Sequence, residues 1–160
     1  MNCYENLVCF AENLGMDVVE KKFKSKAKGL CKGSKIGISK EIESNAEKRC
    51  ILAEEIAHSI FTDGNILDTR DIKNAKQEQF ARNKAYEFLL PLESFIMAHK
   101  EAPSSLYEMS EILEVTEDFL KQAINYYMGK HGNCVVHDNY VIQFTPFRVI
   151  DLSIYSSLIS

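Results

Sequence analysis

The sequence predicts an α+β fold that is mainly helical, with a small antiparallel β-sheet near the N-terminus and a helix-turn-helix-like segment toward the C-terminus. Apolar residues recur at helical spacing through residues 3–14, 44–62, 75–90 and 105–128. Between the first two of these lies a β-prone stretch, residues 18–39, punctuated by glycine. A three-residue turn, Glu114-Val115-Thr116, then joins two short helical runs.

Tyr4, Leu7, Val8, Ala11 and Leu14 share one helical face, and Gly15 follows as a C-terminal cap. Val18 and Val19 open a β-prone run to Phe23, overlapped by Lys21, Lys22, Lys24, Lys26 and Lys28. These lysines read as a solvated edge or loop rather than a phosphate site. Residues 29–39 read as a hairpin turning at Gly33-Ser34.

The next helix carries the chemistry. Ser44 and Glu47 predict a capping box, and Asp63-Gly64-Asn65 predicts the stop. Within it lies Glu54-Glu55-Ile56-Ala57-His58. Positions four apart share a helix face, so Glu54 and His58 can grip one metal ion while Glu55 stands beside it as a general base. The pattern is H-E-x-x-H with Glu in place of the first His. The same five residues alone also describe a solvated charged face. Bare carboxylates beside Ile51, Leu52 and Ile56 are costly, however, unless a cation sits there.

A further helix is predicted over 75–90, ending at Pro91, with Glu78 in its first turn and Lys76 and Arg82 seeking solvent. Glu78 is placed to be a third ligand if this helix packs on the previous one. It also reads simply as an acid favourable near a helix N-terminus. After the segment 92–99, Ser105 and Glu108 predict another capping box, with helices over 105–113 and 117–128, the second ending before Gly129. Residues 103–132 carry five acids against two bases, a face that repels phosphate. Direct nucleic-acid binding is therefore not expected of the helix-turn-helix-like segment. Residues 133–144 alternate like a strand pair, and 151–160 are apolar enough to pack.

The chain of 160 residues, 46% hydrophobic and 26% charged with a formal charge of −4, fits a globular protein. The expected division is a core over 1–100, with the active-site helix at 45–62 and the ligand helix at 75–90, and a module over 101–160 packed on it. Met1-Asn2-Cys3-Tyr4-Glu5 does not begin a signal peptide, and no apolar run approaches membrane-spanning length, so the expected compartment is the cytoplasm and no membrane partner is expected. Five cysteines without a C-x-x-C pair read as reduced thiols.

The helix over 44–62, with Glu78-Gln79-Phe80-Ala81-Arg82-Asn83-Lys84-Ala85 through Leu89-Leu90-Pro91, resembles the ImmA/IrrE family of metallo-endopeptidases. The second stretch matches that family's E-x-x-A-x-x-x-A-x-x-x-L-x-P pattern in register. The first is similar to the Ala-Glu-Glu-Leu-Gly-His variant of members from Gram-positive mobile elements, which also share Gly64-Asn65-Ile66-Leu67 and the 106–127 and 139–147 segments. The resemblance implies a zincin-like fold, Glu54, His58 and Glu78 as ligands of Zn2+ or, as the alternative ion, Mn2+, and Glu55 as the catalytic base. It implies a site-specific endopeptidase whose substrate is a helix-turn-helix repressor protein of a phage or mobile element. The alternative it leaves open is a weak or inactive member that binds and sequesters a regulatory protein. Glu54 for His is the departure that matters, because a second anionic ligand makes the ion less acidifying and favours harder ions. No oxyanion partner is assigned; Tyr86, His99, His131 and His137 are candidates by chemistry alone.

Overall fold

The computed structural model describes residues 1–62 and 72–158. The fold is α+β and mainly helical, and the chain divides into two compact units, Met1–Leu89 with Glu114–Thr116, and Leu90–Leu113 with Glu117–Ser160.

In the first unit, α1 (Cys3–Asn13) begins at a complete capping box between Asn2 and Glu5, and Gly15, at φ +85°, takes the left-handed turn that ends it. Strands β1 (Asp17–Lys21), β2 (Gly29–Lys32) and β3 (Lys35–Ser39) form a sheet in the order β1-β3-β2. β2 and β3 are the expected antiparallel hairpin, while β1 adds on the other side of β3 in parallel, so this sheet is mixed. The central strand is covered on both faces. Ile36 and Ile38 are fully buried on one, and the Phe23 ring closes over Gly37 on the other, where a Cβ would lie 3.1 Å from the ring.

Helix α2 (Asn45–Phe61) packs against α1, β2 and β3, burying Leu52, Ala53, Ile56 and Ala57. Ser44 caps it by accepting from the Glu47 amide at 3.2 Å, but the Glu47 carboxylate meets Lys28 rather than completing a box. The expected stop at Asp63-Gly64-Asn65 and the Gly64-Asn65-Ile66-Leu67 match lie outside the described residues. Helix α3 (Ile72–Leu89) starts three residues earlier than the spacing predicts, which moves Glu78 from the first turn to the second. It makes with α2 the most extensive helix–helix contact among the described residues, through buried Ala81 and Ala85.

In the second unit, the segment after Pro91 is itself a helix, α4 (Leu92–His99), with Pro91 as its N-cap. Helices α5 (Leu106–Leu113) and α6 (Glu117–His131) pack together as the helix-turn-helix-like pair. At the start of α5, Glu108 reaches back to the Ser104 amide, one residue before the expected partner, while Ser105 accepts from the Glu108 amide. α6 runs through Gly129 to His131, and Gly132 at φ +80° ends it, because only there does the backbone need the left-handed region. The expected strand pair is a three-stranded antiparallel sheet, β4 (Cys134–His137), β5 (Tyr140–Phe144) and β6 (Phe147–Asp151), with a cis Thr145–Pro146 bond between the last two. Leu152–Leu158 follow as a 3-10 helix. No helix among the described residues is long and apolar enough to cross a membrane.

Candidate metal centre

The last two turns of α2 and the second and third turns of α3 face each other inside the first unit. On α2, Glu54 and His58 stand four residues apart on one face, with Glu55 beside them. On α3, Glu78 and Arg82 have the same spacing. His58 is only 8% exposed, and its Nε2 lies 3.3 Å from Glu78 Oε2. Glu54 turns to α3 as well, with its Oε2 3.8 Å from Arg82 Nε.

The hairpin holds this end of α2 in place. Ser59 Oγ donates to the Gly33 carbonyl at 3.0 Å, tying the hairpin turn to the residue after His58. Thr62 closes the helix by donating from both its amide and its hydroxyl to the His58 carbonyl, at 3.1 and 2.8 Å. At the other end of the hairpin, β2 runs so close to α2 that a Cβ on Gly29 would lie 2.6 Å from Ile51 Cγ2 and 2.8 Å from Glu55 Oε1. Glycine is what allows the strand backbone to press against the Glu55 carboxyl.

That enclosure sets the electrostatics. Burial, reinforced by the Glu54 and then the Glu78 charge, pushes the Glu55 carboxyl up to about 8. Burial also raises Glu54, with Arg82 pulling it down and Glu78 pushing it up. Burial lowers His58 below its ordinary value against the pull of Glu78, so the imidazole is neutral at pH 7 and free to act as a donor. Its Nδ1 is buried without a partner among the described residues. Tyr86, one turn beyond Arg82, is raised by burial and by the Glu54 charge.

His58, Glu54, Glu55 and Glu78 are donor types that suit a divalent cation, with the Arg82 guanidinium beside Glu54. Two donor atoms on one tetrahedral ion, with bonds of about 2.0–2.1 Å, lie about 3.3 Å apart. The His58–Glu78 contact of 3.3 Å is a long hydrogen bond whose two atoms already stand at that spacing. Glu54 does not complete the set in this conformation, and among the described residues no three His, Cys, Asp or Glu side chains are spaced to hold an ion. The structure thus joins His58 to Glu78, sets Glu55 beside them, and pairs Glu54 with Arg82.

Residues 11–125, spanning this site, match the Peptidase_M78 model, described as the IrrE N-terminal-like domain. The chain belongs to the IrrE N-terminal-like family. This peptidase family is generally metal-dependent, which accords with the donor types on α2 and α3 of this IrrE-like chain. No curated protein and no solved structure matches the chain.

Sequence reasoning missed two members of the site. Arg82 reads as a solvent-seeking helix residue, yet its charge acts on Glu54, His58 and Tyr86. The signal was its spacing, four residues after Glu78 on the ligand face. Gly29 reads only as the start of a hairpin, and its contact with Glu55 becomes visible once β2 lies on α2. Among the candidates for stabilising an oxyanion, Tyr86 lies in the first unit with the site; His99, His131 and His137 belong to the second unit.

Proposed function

We propose that this chain is a metal-dependent endopeptidase that cuts one regulatory protein, a helix-turn-helix repressor of a phage or mobile element, and so inactivates it in the cytoplasm. The observation that carries the reading is the neutral His58 imidazole 3.3 Å from Glu78 across the α2–α3 contact, with the half-buried Glu55 carboxyl beside them, in a chain that matches a peptidase family over residues 11–125.

His58 and Glu78, joined by Glu54, would hold the ion, with Zn2+ and Mn2+ the two that suit one imidazole and two carboxylates. When bound, such an ion supplies Lewis-acid polarisation of a carbonyl oxygen and makes water more acidic. The chain's own residues do the remaining work. Glu55, ionised once a cation lies beside it, would take a proton from the attacking water as the new C–O bond forms and hand it to the departing amine as the C–N bond breaks.

The repressor as substrate rests on the similarity of Glu54-Glu55-Ile56-Ala57-His58 and Glu78–Pro91 to the mobile-element members of the family. The test is incubation of the zinc- or manganese-loaded protein with each helix-turn-helix repressor of the same mobile element or genome neighbourhood, followed by intact-mass analysis. Two fragments summing to repressor plus water, absent with Glu55→Gln, support the reading. An intact repressor under all conditions rejects it.

The Glu54–Arg82 pairing favours a second reading, a member that binds and sequesters its target without cutting it. Relief of repression that survives Glu55→Gln at unchanged protein level selects sequestration.

A further inference from the structure

Glu54 puts a third carboxylate where H-E-x-x-H with one additional Glu has two. With a divalent ion in place and Glu55 ionised, as its role as base requires, the two-carboxylate site sums to zero charge. The three-carboxylate site would sum to minus one, holding the ion too well neutralised to polarise anything strongly. The structure supplies the missing positive charge. Arg82 stands one turn after Glu78 on the ligand face of α3, its Nε 3.8 Å from Glu54 Oε2, and it restores the sum to zero.

We propose that Arg82 is the built-in counter-charge of this site, and that the Glu54–Arg82 pair together take the place of a neutral histidine at the first donor position. The inference rests on the metallopeptidase reading and deepens it. Arg82 is a positioning residue: it acts through Glu54, setting how much of that carboxylate's charge an ion feels. Three features support this over an incidental surface pair. The guanidinium charge lowers Glu54, His58 and Tyr86, ranking highest among the causes, after burial, at Glu54. Glu54 faces it from the helix–helix contact with its side chain 26% exposed, against 45% for Arg82, so the partly desolvated carboxylate meets a guanidinium that reaches it from the solvent side. And arginine keeps its charge at any working pH, which makes it a permanent component of the site.

The test is a double-mutant cycle on the full chain, comparing wild type, Arg82→Gln, Arg82→Lys, Glu54→Gln and the Glu54→Gln/Arg82→Gln double variant. Two quantities are read: the melting temperature after chelator treatment, and the Zn2+ dissociation constant by competition with a chromophoric chelator. The expected results are that R82Q lowers the melting temperature of wild type but has less than half that effect in E54Q, and that R82Q tightens Zn2+ binding by about tenfold while R82K stays close to wild type. A merely structural arginine would weaken Zn2+ binding and act alike in both backgrounds. An equal melting loss in both backgrounds, or Zn2+ affinity unchanged or weakened by R82Q in a wild type that binds Zn2+, overturns the Arg82 assignment alone. A wild type that binds neither Zn2+ nor Mn2+ overturns the metallopeptidase reading, and the assignment with it.

Discussion

His58 Nε2 and Glu78 Oε2 approach to 3.3 Å across the α2–α3 contact, although 20 residues separate them in the chain. The imidazole is buried and neutral, and its other nitrogen has no partner among the described residues. Glu55 and Glu54 lie alongside this pair, and burial raises both carboxyls, so each charge there costs desolvation that a nearby cation offsets.

This has a consequence for stability against pH in chelator-treated protein. Glu55 has a folded value of about 8 against an ordinary 4.5, so the folded state binds the proton more tightly than the unfolded state does. The contribution is full below about pH 4.5 and is lost as pH rises through about 8. Glu55→Gln removes the titration. The melting temperature of E55Q minus that of wild type is expected to grow between pH 5 and pH 8, as read by calorimetry. A difference that does not change with pH contradicts the buried state of Glu55.

Two glycines are expected to respond in opposite directions. Gly29→Ala drives a methyl into Ile51 and Glu55 and is expected to cost about 1–3 kcal/mol. Gly129→Ala, inside α6 with nothing within 4 Å of the new Cβ, is expected to stabilise by about 0.5–1 kcal/mol. Denaturant midpoints of the two variants decide both. A neutral Gly29→Ala would mean that β2 does not press on Glu55.

The cysteines provide an independent check of the core. Cys50 is buried, and burial pushes its thiol up to about 11, so at pH 8 only about one molecule in a thousand carries the thiolate there. Cys9 and Cys134 are exposed. Iodoacetamide at pH 8 is expected to label Cys9 and Cys134 first and Cys50 last, as peptide mapping would read. Early labelling of Cys50 contradicts the packing of α2.

Much of this was legible in the sequence because it depends on spacing along one element. The i, i+4 relation of Glu54 and His58, the Ser44 cap, the hairpin at Gly33 and the two helices around residues 114–116 each follow from local pattern. What depends on contacts between distant segments was not legible. Arg82 carries the same local signature as any exposed helix arginine, and only the packing of α3 on α2 gives it Glu54 as a partner. The parallel pairing of β1 with β3 and the approach of Gly29 to Glu55 likewise arise from tertiary placement. At the end of α6, two glycines compete for one role, and the backbone angle at Gly132 decides against Gly129.

The central claim is that α2 and α3 together hold a divalent ion, and metal content tests it most directly. Protein purified without chelator is to be measured by inductively coupled plasma mass spectrometry, beside Glu54→Ala, His58→Ala, Glu78→Ala and Glu55→Gln. About one zinc or manganese ion per chain is expected in wild type and in E55Q, with the ion lost from H58A and E78A and diminished in E54A. A wild type that holds no ion even after incubation with zinc and manganese would contradict the claim.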